Sequence, residues 1–190
     1  GTVTQFLDTD GATPLLFGGL VNNGSLTDQS GVAAYALPGS IVNTGNLFYG
    51  NSVATINAGQ DFNNSGSFLP LGVGVLGAVA AGNDFTNTGT LRSQTPATTT
   101  LTAGNDFSNT GALEVPGHLV VQAGNDALLG GTVDYFNPGA GPLRLYATAG
   151  GDLTYAASTA FGLNTWLHRV ELVAGVNPFT GAINGGTLTI

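Results

Sequence analysis

Apolar and polar residues alternate along short runs of this chain. Leu119, Val121 and Ala123 oppose His118, Val120 and Gln122, and Leu143, Leu145, Ala147 and Ala149 oppose Arg144, Tyr146 and Thr148. The same parity sets Ala54, Ile56 and Ala58 against Val53, Thr55 and Asn57, and Leu101 and Ala103 against Thr98, Thr100 and Thr102. It returns late in the chain as Val170, Leu172 and Ala174 against Arg169, Glu171 and Val173. A period of two with one apolar face predicts a strand that covers a core. A second short strand is predicted around Phe62, Phe85 and Phe107, and a third around Phe68, Leu91 and Leu113. No helical period of useful length appears, and the density of glycine and threonine opposes helix.

These strands belong to an internal repeat. AGQDFNNSGSF from Ala58, AGNDFTNTGTL from Ala81 and AGNDFSNTGAL from Ala103 are copies of one unit. The unit decays to AGNDALLGGTV from Ala123 and AGGDLTYAAST from Ala149, and its second half stands alone as LVNNGSL from Leu20 and IVNTGNL from Ile41. The motif glycines Gly24, Gly45, Gly66, Gly89, Gly111 and Gly131 are spaced by 21, 21, 23, 22 and 20 residues. Two or three strands per repeat with fixed turns predict an all-β, parallel β-helix solenoid. About eight coils at the inter-strand spacing would make a rod roughly 40 Å long. The chain reads as one domain, with an N-terminal strand and cap over 1–15, regular coils over 16–133, and longer, looser coils with a terminal strand over 134–190. A leucine-rich repeat would need a helical half, and a β-sandwich would not keep the turn spacing so constant.

In such a solenoid, equivalent positions lie above one another. Phe62, Phe85 and Phe107 are expected to stack in the core, flanked by Ile41 and Ala127, each ring burying roughly 150–250 Å². Asn22, Asn43, Asn64, Asn87 and Asn109 are expected to form an amide ladder, each side chain donating to one neighbour and accepting from the other. The motif glycines are expected to supply turn conformations that a Cβ would resist. Asp61, Asp84, Asp106, Asp126 and Asp152 also align. A calcium ladder and a set of turn-capping, solvated aspartates both fit; one carboxylate per coil is poor in ligands for a hard cation, which favours the caps.

Composition narrows the function classes. Apolar residues make up 42% of the chain and charged residues only 7%, with three arginines, no lysine and a net charge of −8. That is far below the roughly 25% charged residues of ordinary soluble domains and lacks the basic face that nucleic acid requires. Cysteine is absent, which removes disulfides and thiolate metal sites. Methionine is also absent, so a processed mature protein or a piece of a larger one is expected. No apolar run reaches the roughly 18 residues of a membrane span. No cofactor is implied.

An enzyme is not expected. Glycoside hydrolysis wants paired carboxylates, and the repeat offers only one per coil, with Glu114, Asp134 and Glu171 off it. Uronate elimination wants a strong base and clustered cations. His118 and His168 fall in different coils and read as surface residues, so no catalytic or metal-ligating residue is assigned. Two long stretches, 134–142 and 158–167, suggest loops whose aromatics Tyr135, Phe136, Phe161 and Trp166 would form a recognition patch for sugar rings or a protein, or else fold back as a cap. Outward threonines at Thr100, Thr102 and Thr148 do not recur as paired columns, which ranks ice binding low. The neutral strands at both ends, Thr2 and Val3 at one and Thr187, Leu188, Thr189 and Ile190 at the other, carry no charge to block further strand pairing.

The unit AGNDFTNTGTL, with its cousin AGGDLTYAAST, resembles the shaft repeats of filamentous-haemagglutinin-like adhesins and exoproteins of the two-partner-secretion type. The resemblance covers roughly 20–157. It implies a secreted, right-handed β-helix at the cell surface, structural and adhesive rather than catalytic. The asparagine-proline-asparagine secretion signature of the family is missing; Asn177-Pro178-Phe179 lies near the wrong end. The expected function is therefore an extracellular structural rod, either a filament or sheath subunit joined to other copies end to end and by lateral packing, or part of an adhesin shaft. The alternative is a surface module that binds host-cell or matrix glycans through the aromatic loops.

Overall fold

The computed structural model describes residues 18–28, 34–50, 53–72, 76–94, 98–136, 143–161 and 167–190. The predicted strand at Thr2 and Val3 and the residue Trp166 lie outside them. Among the described residues the regular structure is all strand, arranged in three parallel sheets of eight, seven and seven strands. Sheet one stacks Leu20–Asn22, Ile41–Asn43, Phe62–Asn64, Phe85–Asn87, Phe107–Asn109, Ala127–Leu129, Leu153–Tyr155 and Leu188–Thr189. Sheet two begins at Ser25–Thr27 and ends at Ser158–Phe161; sheet three begins at Ala34–Leu37 and ends at Leu167–Val173. Within each sheet, neighbours are every third strand of the chain, so each coil contributes one strand to each face. The chain is a parallel β-solenoid. Six turns carry it from Leu20–Asn22 to Leu153–Tyr155, somewhat fewer coils than the eight expected from the repeat.

The alternation read from the sequence sets what faces inward. Leu101 and Ala103, Leu119, Val121 and Ala123, and Leu143, Leu145, Ala147 and Ala149 are all buried in sheet three. Phe62, Phe85 and Phe107 fill the centre from sheet one, and Phe68, Leu91, Leu113 and Val133 meet them from sheet two. Small residues end the strands of sheet three where the chain turns into the next coil, at Ala58, Ala81, Ala103, Ala123 and Ala149, leaving room for the bulky ends of sheet one.

One irregularity changes the parity. Leu143 pairs with Leu167, but Arg144 pairs with Arg169, so a bulge absorbs one residue of the last strand of sheet three. Beyond the bulge the offset between the two strands is 25 rather than 24, so the odd-numbered Leu145 faces the even-numbered Val170.

The motif glycines are required for a different reason from the expected turn conformation. Among the six, only Gly131 has a positive φ, at 67°. At Gly45 a Cβ would lie 2.0 Å from the carbonyl oxygen of Gly24, and at Gly66 it would lie 2.0 Å from that of Gly45. The constraint is the close approach of stacked backbones: Asn46 N–H donates to the Gly24 carbonyl at 2.8 Å and Ser67 N–H to that of Gly45 at 2.9 Å. Gly131 stands in the turn that lacks the motif asparagine, and there the left-handed conformation is used as well.

Candidate functional site: stacked columns and an open edge

The side chains with the most organised environment form columns along the rod. The rings of Phe62, Phe85 and Phe107 stack with centroids 4.8 Å apart at each step and planes within 19°. Ile41 lies in register below Phe62, and Ala127 above Phe107. Beside the rings, Asn22 donates from Nδ2 to Oδ1 of Asn43, Asn43 to Asn64, Asn64 to Asn87 and Asn87 to Asn109, each at 2.7 Å. Asn43, Asn87 and Asn109 are fully buried, and Asn22 and Asn64 nearly so. Leu129 takes the next place in the column, and Asn109 donates instead to the carbonyl of Gly130 at 2.7 Å. All amide dipoles therefore run in one direction along the axis.

A second column lies at the turn between sheets three and one. The Oδ1 atom of Asp61 accepts from Asn83 Nδ2 at 2.8 Å and from Asp84 N–H at 3.3 Å. Asp84 does the same for Asn105 and Asp106, and Asp106 for Asn125 and Asp126. Each aspartate thus caps the corresponding turn of the following coil, which accounts for the repeated Asn-Asp pair. Its two donors stabilise the charge without a cation, and among the described residues no group of carboxylates and histidines has the geometry to hold a metal ion. Replacing Asp84 by asparagine keeps an acceptor at Oδ1, so a loss below about 1 kcal/mol is expected. Thermal melts of the parent chain should superimpose with and without a calcium chelator; a drop on chelation would restore a metal role.

Tyr135 does not belong to an exposed aromatic patch as expected. Tyr135 is fully buried at the end of strand Thr132–Tyr135, where it shares the inward parity of Val133. It belongs to the core, not to a binding loop, and burial pushes its hydroxyl pKa up. Phe136 lies under the guanidinium of Arg92, 5.1 Å from the ring centroid, and Arg92 also pairs with Glu114, its partner in register. Phe161 ends a strand of sheet two opposite Tyr135. The outward threonines do not form columns: Thr100 stands between Ala78 and Val120, and Thr102 between Ala80 and Gln122.

A buried polar cluster near the start of the described rod has no counterpart in the repeat. Asp28 is fully buried, accepts from the Tyr35 hydroxyl and receives Gly50 N–H at 3.3 Å. Burial, and then the hydrogen bond to Asp28, raises the Tyr35 pKa. Sequence reading misses it because the three residues occupy unrelated positions of two coils.

Apolar side chains are exposed around the last strand of sheet one. Leu188–Thr189 pairs with Leu153 and Thr154 on one side and is the last strand of its sheet. Leu188 and Val170 are nearly half exposed, and Ile183 and Ile190 more than four-fifths exposed. Thr187 N–H donates to Asp152 Oδ1 at 2.8 Å, so the turn column continues to this last strand. The preceding hairpin, closed by the Val176–Ile183 bridge, folds back along the rod: Asn177 Nδ2 reaches the carbonyl of Gly124 and Asn184 Nδ2 that of Gly150. No protein-family model, curated protein or solved structure matches this chain.

Proposed function

We propose that this chain is a structural rod of the extracellular surface, a non-catalytic shaft length whose coil edges are joints for further coils. The observation that carries the reading is the uninterrupted parallel stacking of coils, in which every strand between the first and last of each sheet pairs with a strand of the coil on either side. Each coil's backbone groups are completed by the neighbouring coil, and in the middle coils its amide and aromatic groups are too, so the working chemistry is backbone pairing by β-augmentation. The next strand comes from another copy of the chain or from further along the same polypeptide. The resemblance of the repeat to filamentous-haemagglutinin-like shafts supports secretion and a place at the cell surface, and the scarcity of charge favours lateral packing of like rods.

Electron microscopy of the purified protein over a range of concentrations tests the joint. Filaments of uniform width, with an axial repeat of roughly 35–40 Å, are expected if copies add coil to coil. Isolated short rods at every concentration would count against joining through this edge. Shifting Leu188→Lys and Ile190→Lys into the edge should abolish the filaments while leaving the rod's β-sheet circular dichroism intact.

A further inference from the structure

The geometry points to a binding site for the carboxylate of an acidic glycan on the outer face of sheet three, built by Arg144, Tyr146 and Arg169. The bulge in the last strand of that sheet brings Arg169 into register with Arg144 on the neighbouring strand. Two of the three arginines in a chain of net charge −8 therefore stand one above the other, about 4.8 Å apart along the sheet. Like charges directly opposite on adjacent strands oppose folding unless an anion lies between or beside them. Glu171 supplies one, at 2.6 Å from an Nη atom of Arg169. Among the described residues Arg144 has no acidic partner: its backbone N–H donates to His118 Nδ1 at 3.1 Å, and its guanidinium lies exposed. The first arginine of the chain shows the contrast, since Arg92 meets Glu114 directly in register.

The pair lines a shallow cleft of about 140 Å³ together with Leu145, Tyr146 and Glu171. That volume is smaller than the roughly 300–1,000 Å³ of pockets that enclose a whole small molecule, and suits one charged group with the edge of one ring. A guanidinium presents a planar fork matched to a carboxylate, and the half-buried Tyr146 offers a ring face and a hydroxyl beside it. Glu171, in register with Tyr146, adds an acceptor for sugar hydroxyls and penalises ligands of high charge density. A uronate-type residue meets all three demands: one carboxylate, one apolar ring face and several hydroxyls. The cleft is on the side of the rod, so coils added at the end leave it open, and the site does not depend on end-to-end joining.

Isothermal titration calorimetry of the full chain with a galacturonate tetrasaccharide tests the site, with its methyl ester and inorganic phosphate as comparisons. Binding by the free acid is expected, with Arg144→Gln weakening it about tenfold or more and Arg92→Gln leaving it unchanged. Arg144→Lys keeps the charge and loses the fork, and a severalfold loss is expected in a variant whose melting temperature matches the parent. Absence of binding by the parent at millimolar sugar, equal binding of the ester, or equal binding of phosphate would each overturn the assignment.

Discussion

Alanine at Gly89 is expected to destabilise the rod by about 4 kcal/mol or more, placing it among the most damaging single substitutions. The added Cβ would lie 2.0 Å from the carbonyl oxygen of Gly66, 2.6 Å from the carbonyl carbon of Ser65 and 2.8 Å from the nitrogen of Gly66. All three are backbone atoms of the preceding coil, so no side chain can swing away. Relief requires the coils to part. That would lengthen the bond from Thr90 N–H to the Gly66 carbonyl, now 2.9 Å, and loosen the 4.8 Å ring stack and the 2.7 Å amide contact that run through the same two coils. Conformational strain at the glycine itself plays no part, because its φ is not positive. The comparison is Gly24→Ala, in the same column at the start of the described rod, where no described atom lies within 4 Å of an added Cβ. That change is expected to stay within about 1 kcal/mol. Calorimetric melting of the two variants beside the parent decides the matter: equal transitions would mean that the coils are not packed this closely.

The contrast between those glycines shows what the repeat discloses and what it hides. Spacing alone aligns Phe62 with Phe85 and Asn64 with Asn87, because a solenoid turns sequence period into spatial register. It identifies the glycine column but not its cause, since a Cβ clash with another coil leaves no local mark. The aspartate column is similar: turn-capping was legible from residue type, but the donors belong to the next coil's Asn-Asp pair. The inward place of Tyr135 is legible in the alternation Thr132-Val133-Asp134-Tyr135, which prevails over its position beside a long connection. The bulge that sets Arg169 over Arg144 leaves no such trace, because a switch of inward parity like that between Leu145 and Val170 also separates Ile56 from Val79, where the pairing is regular.

Asn87→Asp is the second change with a large expected effect, about 3 kcal/mol at neutral pH, and its dependence on pH is diagnostic. Asn87 accepts from Asn64 and donates to Oδ1 of Asn109, both at 2.7 Å, with no exposure to solvent. A carboxylate keeps the first contact and turns the second into two facing acceptors. Asn109 cannot escape by flipping its amide, because its Nδ2 is committed to the carbonyl of Gly130 at 2.7 Å. Burial and the facing oxygen both disfavour the ionised form, so the introduced carboxyl has a folded-state pKa raised above its unfolded value of about 3.9. A raised folded pKa means that the folded state holds the proton more tightly. The stability associated with that proton is fully present below the unfolded pKa and is lost as pH rises through the folded one. The protonated carboxyl can also donate to Asn109, restoring the ladder. The gap in melting temperature between variant and parent should therefore shrink as pH falls from 7 towards 4. Asn87→Leu supplies the uncharged comparison, since Leu129 already occupies this column in the coil above Asn109. It too leaves Asn64 and Asn109 with unmet partners, but its gap should not change with pH. A gap for Asn87→Asp that is equally flat would show that the carboxylate reaches water and that the amide column is not closed to solvent.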